Sequence, residues 1–145
     1  MELKEAIGRR RSMRFLAPYR PQLLSVFRIM AGLLILQYGT AKIIGFPAVQ
    51  AFANVAVGRW PTWYAAVIEL IFGALLVIGL FSRISAFILS GLLAFAYFIG
   101  HAPRGMFSPL ANGGTLAILF CFAFLYLAAA GPGPWSADAI ARGKR

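Results

Sequence analysis

One acidic side chain, Glu69, interrupts an apolar run from Trp63 to Phe81, and one basic side chain, Lys42, stands near the end of another from Leu23 to Ile44. A carboxyl group can take or give a proton, an ammonium can stabilise an oxygen that gains negative charge, and a phenol such as Tyr38 can hydrogen-bond a carbonyl. At about 100° per residue, Thr62, Ala66, Glu69 and Gly73 fall within one narrow arc of a helix. Arg28, Gly32, Tyr38, Gly39 and Lys42 share one side of the preceding helix, with Gln37 well round from them. If the two helices run antiparallel, Tyr38 lies at the depth of Glu69 and Lys42 about one turn nearer the outer end, within reach once its stem bends inward. A third stripe, Ser90, Ala94, Tyr97 and His101, brings two more polar rings to the same end. Glu69, Lys42 and Tyr38 are thus the candidate catalytic residues, with Tyr97, His101 and Asn112 as candidate ligand contacts around them.

These residues need elements to hold them, and composition says which. The chain has 145 residues, of which 61% are hydrophobic and only 12% charged, yet it carries a formal net charge of +10 from fourteen Lys/Arg against four Asp/Glu. A soluble domain is about a quarter charged. A nucleic-acid binder spreads its basic residues over a polar surface, whereas here the charges are swept out of four apolar segments, residues 23–44, 63–81, 84–101 and 114–130. A helix needs about 20 residues to cross a hydrocarbon core, and an open sheet leaves unsatisfied edges there. The pattern therefore predicts an all-α integral membrane protein, an antiparallel bundle of four transmembrane helices. One cysteine permits no internal disulfide or dithiol pair, and one histidine with scattered methionines makes no metal or haem motif.

The connections agree. Gly45-Phe46-Pro47 stops the first helix, Trp60-Pro61 introduces the second, Phe81-Ser82-Arg83 permits only a tight hairpin, and Gly131-Pro132-Gly133-Pro134 ends the fourth. Eleven basic residues, Lys4, Arg9, Arg10, Arg11, Arg14, Arg20, Arg28, Arg83, Arg142, Lys144 and Arg145, fall on the side of the termini, against Lys42, Arg59 and Arg104 on the other. The excess of Lys/Arg marks the cytoplasmic side, so both termini are expected there. The first segment is longer than the apolar core of a signal peptide and reads as a retained span.

Other polar groups have plainer expected roles. Arg28 can snorkel to lipid phosphates, Cys121 fills space, and Arg9-Arg10-Arg11 sets topology beside anionic lipid, not nucleic acid. Ser136 can cap a short last helix, which leaves Asp138 to pair with Arg28 or Arg83. The Lys42–Glu69 pair admits two readings. It can be an ion pair that keeps two helices in register, or the polar end of a site for an amphipathic small molecule. His101, at a helix end beside Pro103, reads first as a solvated interface residue.

In this order the residues resemble the DoxX family of small membrane proteins. Arg28 followed by Tyr38-Gly39-Thr40-Ala41-Lys42-Ile43-Ile44-Gly45-Phe46 is similar to the family's [HY]-G-x-x-K-[LI]-x-G-F segment, with tyrosine where histidine is often found. The stretch from Glu69 to Arg83 resembles E-x-x-x-G-x-x-L-x-x-G-L-x-[ST]-R. Asn112-Gly113-Gly114 resembles the opening of the last helix, and the segment from Gly131 through Trp135 and Ser136 to Asp138 its ending. Arg28, Arg83, Trp135 and Asp138 would then be structural and topological markers. The resemblance divides the chain into a basic N-terminal segment (1–20), a four-helix domain (21–138) and a basic tail (139–145).

The resemblance also implies a bacterial inner-membrane protein of the quinol-oxidase-subunit or oxidoreductase kind. With no metal, haem, flavin or dithiol motif in the chain, electrons would pass through a bound quinone or a partner subunit. On this reading Glu69 exchanges the proton, Lys42 stabilises a developing oxyanion and Tyr38 holds a carbonyl. A membrane or soluble oxidoreductase is the expected partner, and the alternatives are a non-catalytic membrane scaffold or anchor that recruits a soluble redox or detoxification enzyme, and a small proton-coupled transporter. The missing inverted repeat and the four spans weigh against the transporter unless the chain forms a homo-oligomer.

Overall fold

The computed structural model describes residues 13–143. The basic run Arg9–Arg11, with Lys4, and the last two residues, Lys144 and Arg145, lie outside the described residues. Six α-helices and no strand occur among the described residues. They are α1 (Arg20–Ile43), α2 (Thr62–Ile78), α3 (Ser82–Ala96), the short α4 (Pro109–Asn112), α5 (Thr115–Ala130) and α6 (Ala137–Gly143). A 3-10 turn at Met13–Tyr19 leads into α1, and a π-helical turn at Tyr97–His101 extends α3. With these extensions, Phe15–Ile43 and Ser82–Arg104 are long and apolar enough to cross a membrane. The other two, α2 and α5, are apolar but have 17 and 16 residues, so each reaches only about 25 Å against a hydrocarbon core of about 30 Å.

The bundle is built from two tightly packed pairs, α1 on α2 and α3 on α5. Small residues explain the first. A Cβ placed on Gly39 would lie 2.8 Å from Leu70 Cγ and 2.9 Å from its backbone nitrogen, and one on Gly32 would lie 3.0 Å from Val77 N. Gly73 and Ala66 answer from α2, and both are buried, so the two backbones nearly touch. Lys42 stands one turn beyond Gly39, as Glu69 stands one turn beyond Ala66, and the glycine contact thereby sets the distance between the charges. Gly39→Val is expected to cost about 1–3 kcal/mol through overpacking and to lower the unfolding midpoint in detergent; a variant as stable as the parent would contradict this close approach. The second pair is joined by Ser90 Oγ, which donates to Cys121 O at 2.8 Å.

The exterior is as apolar as the interior. Leu33, Ile71, Ile78, Phe87, Leu119 and Phe122 are exposed, while Arg28, Glu69, Ser25, Ser85 and Ser90 are buried. Such a surface in water would be one continuous apolar patch.

The end where α2 turns into α3 is held by polar side chains acting on backbone. Gly79 adopts φ 79, caps α2 with its N–H on Leu75 O, and leaves no room for a Cβ, which would meet Ser136 Cβ at 2.5 Å. Arg28 does not snorkel: its side chain is 0% exposed, and it donates Nε to Pro132 O at 2.8 Å and its two Nη groups to Leu76 O, Val77 O and Trp135 O. It thereby ties α1 to the end of α2 and to the turn after α5. The guanidinium sits among the last carbonyls of a helix, which is where a cation is favoured.

Asp138 pairs with neither Arg28 nor Arg83. Its carboxylate accepts from the N–H of Phe81 and of Ser82, each at 2.9 Å, and so caps the start of α3. Arg83 instead donates to Ala128 O and Ala129 O, the last carbonyls of α5. Ser136 Oγ accepts from Ala139 N–H at 3.1 Å at the start of α6. Partial burial pushes the Asp138 carboxyl up, but the N–H groups of Ser82 and Phe81 and the nearby Arg142 outweigh it and hold the group below its ordinary value. A depressed folded-state value means that the stabilisation is present above the ordinary carboxylate range and is lost as pH falls through the lower, folded value. The stability difference between the protein and Asp138→Asn should therefore be constant near neutrality and close in strong acid. A difference that widens on acidification would contradict this capping role.

Candidate functional site

Lys42 and Glu69 meet as the glycine contact requires. Lys42 Nζ donates to Glu69 Oε1 at 2.7 Å and to Oε2 at 2.8 Å, with the two side chains 11% and 6% exposed. This is the one ion pair among the described residues. Both carboxylate oxygens are directed at the ammonium, and an ammonium has three N–H donors, so one remains for another acceptor. Two rings flank the same cation: Phe52 with its centroid 5.2 Å from Nζ, and Tyr38 at 5.7 Å. Phe52 comes from a short 3-10 turn, Gln50–Phe52, in the connection between α1 and α2. Cation–π contact stabilises a desolvated ammonium, and two aromatic faces leave Lys42 partly caged.

From Lys42 a cleft of about 650 Å3 opens between α2 and α3. Its walls are apolar and aromatic, with Phe52, Trp60, Tyr64, Ile68, Phe95 and Ile99, and its polar groups are Lys42, Thr62, His101 and Arg104. Trp60 stands edge-on to Phe95, with ring centroids 6.1 Å apart, and beside Tyr64 at 5.8 Å. A concave apolar site of this size with a few convergent polar groups is the usual form of a small-molecule site.

The residues expected to converge are in fact divided. Lys42 and His101 share the cleft. Glu69, 4% exposed, stands behind Lys42 and does not line it. Tyr38 stays beside Lys42 but does not line the cleft; it packs edge-on against Phe52 and lines a smaller recess with Leu34, Pro47 and Val49.

Tyr97 and Asn112 are buried and serve the loop between α3 and α5. The Tyr97 hydroxyl donates to Met106 O, and Asn112 donates Nδ2 to Gly105 O and accepts from Gly114 N–H, both at 2.8 Å. His101 Nδ1 lies 3.1 Å from Asn112 O, a carbonyl that can only accept. The proton therefore sits on Nδ1, and the 3.5 Å approach of Arg104 Nη2 to that nitrogen is a contact without a hydrogen bond. In the neutral ring this leaves Nε2 as an acceptor. His101 is half-buried and stacks on Tyr97 with ring planes 17° apart, so it is less solvated than its place beside Pro103 suggested. The π-helical turn inserts one extra residue into the helical repeat, with Ala102 N–H on Tyr97 O, and His101 stacks on Tyr97 across that turn.

No spacing in the sequence marks Phe52, Trp60, Phe95 or Arg104 as part of a site. From sequence, Trp60 reads as the entry to the second helix and Arg104 as a charge on the less basic side. Their shared role depends on the fold of the loops, and their one common signal is that each lies at the Lys42 end of the chain's apolar segments. Among the described residues no group of three or more His, Cys, Asp or Glu could hold a metal ion.

Comparison with known proteins gives the lineage. The chain is 43% identical over 128 residues to an uncharacterised protein of Haemophilus influenzae, covering 87% of this chain and 96% of that one. No solved structure matches it. The sequence model of the DoxX family matches residues 23–102, from α1 through the π-helical turn, and so takes in Lys42, Glu69 and most of the cleft. The chain belongs to the DoxX family.

Proposed function

We propose that this protein crosses the bacterial inner membrane four times, with both termini in the cytoplasm, and binds a quinone or quinol in the cleft beside Lys42 as an oxidoreductase subunit. The observation that carries the binding role is an aromatic-walled cleft that ends on a caged ammonium with one N–H to spare. The apolar exterior and the basic excess at the Arg28 end support the topology. The two shorter helices fit a thinned bilayer or borrow flanking residues.

The cleft suits such a ligand: Trp60, Tyr64 and Phe95 offer ring faces to a planar head, and Lys42 offers a donor to its oxygen. A bound quinone supplies the capacity to accept two electrons and two protons. Lys42 holds the oxygen on which negative charge builds. Glu69 acts through Lys42: its carboxylate accepts from the ammonium and keeps it charged and positioned. His101 Nε2 and Arg104 offer an acceptor and a donor near the mouth. Tyr38 supports Lys42 from the side and makes no ligand contact. Electrons would enter from a partner oxidoreductase, membrane-bound or soluble.

Titration of the purified protein in mild detergent with a short-chain quinone tests the reading, because Trp60 in the cleft wall should be quenched. Saturable quenching that weakens about tenfold in Lys42→Met, the loss of one charge-assisted hydrogen bond, is the expected result. No saturable quenching would contradict it. A second reading, an anchor for a partner enzyme, draws on Phe107 and Leu110, which stand 96% and 88% exposed in the connection between α3 and α5, Leu110 within α4. It predicts co-purification of the partner from mild detergent, lost on Phe107→Ser and indifferent to Lys42→Met.

A further inference from the structure

At the opposite end of the bundle three arginines, Arg20 at the start of α1, Arg83 at the start of α3 and Arg142 in α6, line one cleft of about 600 Å3. No carboxylate lies within ion-pair distance of any of them among the described residues. Asp138, the nearest acid, is occupied by the N–H groups of Phe81 and Ser82. Arg83 spends one Nη on the carbonyls that end α5, and Arg142 spends Nε on Asp138 O at 3.2 Å. Among the described residues, the remaining N–H groups of all three have no side-chain acceptor and are open to an anion.

The floor of the cleft is apolar, with Leu24 and Pro132, and Tyr126 forms its edge. On the outer surface Tyr126 packs against Phe27 of α1, with ring centroids 6.4 Å apart, and both rings are exposed. The contact between α1 and α5 is slight, so an apolar furrow leads from the arginines along the outside of the bundle. A phosphate at the arginines with a hydrocarbon tail in the furrow satisfies both halves. We infer that this cleft is a binding site for an anionic phospholipid of the inner leaflet, its phosphate held by Arg20, Arg83 and Arg142 and its chain laid along Tyr126 and Phe27.

The inference rests on the membrane-spanning reading but not on quinone binding. Free phosphate shares the headgroup chemistry but has no use for the furrow. Each arginine near an anionic surface contributes enough to favour anionic lipid severalfold.

The test is native mass spectrometry of the full chain titrated with phosphatidylglycerol or phosphatidylcholine, with inorganic phosphate as a soluble competitor. Phosphatidylglycerol should bind about tenfold tighter than phosphatidylcholine, and Arg20→Gln/Arg142→Gln should erase that preference. Arg20→Lys/Arg142→Lys should keep most of it, and Arg104→Gln at the other end should keep all of it. The single variants Arg20→Gln and Arg142→Gln, each at an exposed side chain, should each remove part of it and serve if the double variant fails to fold. A preference that survives in these variants, or that Arg104→Gln removes equally, overturns the site. Displacement of the lipid by inorganic phosphate overturns the lipid as occupant. If neither lipid binds, the membrane reading fails with it, whereas binding of both without preference refutes the site alone.

Discussion

Arg28→Leu is expected to destabilise the protein by about 3–5 kcal/mol, one of the largest single effects in the chain. A buried ion pair can often be exchanged for apolar groups at little cost, because both charges leave together. Arg28 has no such partner. It satisfies the carbonyls of Leu76, Val77, Pro132 and Trp135, and each loses a donor when it goes. The Pro132 bond is buried, where an unpaired carbonyl costs about 1–3 kcal/mol, whereas Leu76 O keeps the Gly79 N–H at 3.2 Å. Arg28→Lys should fall between, since an ammonium can replace only part of the planar fork. Thermal unfolding in detergent measures the series. A leucine variant as stable as the parent would mean that water reaches these carbonyls and that Arg28 is no latch.

The second large effect concerns Lys42 and Glu69, and it separates the structural from the functional reading of the pair. Lys42→Met leaves a buried carboxylate, Glu69→Leu leaves a buried ammonium, and each is expected to cost about 3–5 kcal/mol. The double variant removes both charges and should regain most of that loss, so the two substitutions should be strongly non-additive. Ligand binding should not return with stability, because the remaining N–H of Lys42 is gone for good. If the pair only fixed helix register, the stable double variant would bind as the parent does.

The part of this arrangement that sequence made legible is the part governed by helical periodicity. Gly39 and Lys42, like Ala66 and Glu69, are three residues apart on uninterrupted helices, so their meeting across an antiparallel contact could be worked out from spacing. The apolar runs likewise gave the four main helices. Periodicity failed where the chain leaves the α-helix. Tyr97, His101 and Asn112 sit around a π-helical turn and a loop, and one inserted residue re-aims every side chain after it. Phe52 and Trp60 reach the site from a connection whose course depends on what it packs against. The partners of Arg28 and Arg83 are backbone carbonyls, which every residue possesses, so no side-chain pattern announces them. Asp138 departs from expectation for the same reason: an acid near arginines suggests an ion pair, while the free N–H groups of Phe81 and Ser82 at a helix start offer hydrogen bonds at 2.9 Å.

The central claim is that the cleft beside Lys42 binds a quinone and that Lys42, supported by Glu69, makes the polar contact. The most direct measurement is quinone affinity, read from tryptophan quenching, for the parent and for the stable Lys42→Met/Glu69→Leu double variant in the same detergent. The account predicts saturable binding by the parent and an affinity about tenfold weaker or worse in a double variant that remains folded. Equal affinity in the two proteins, or saturable binding in neither, would contradict it.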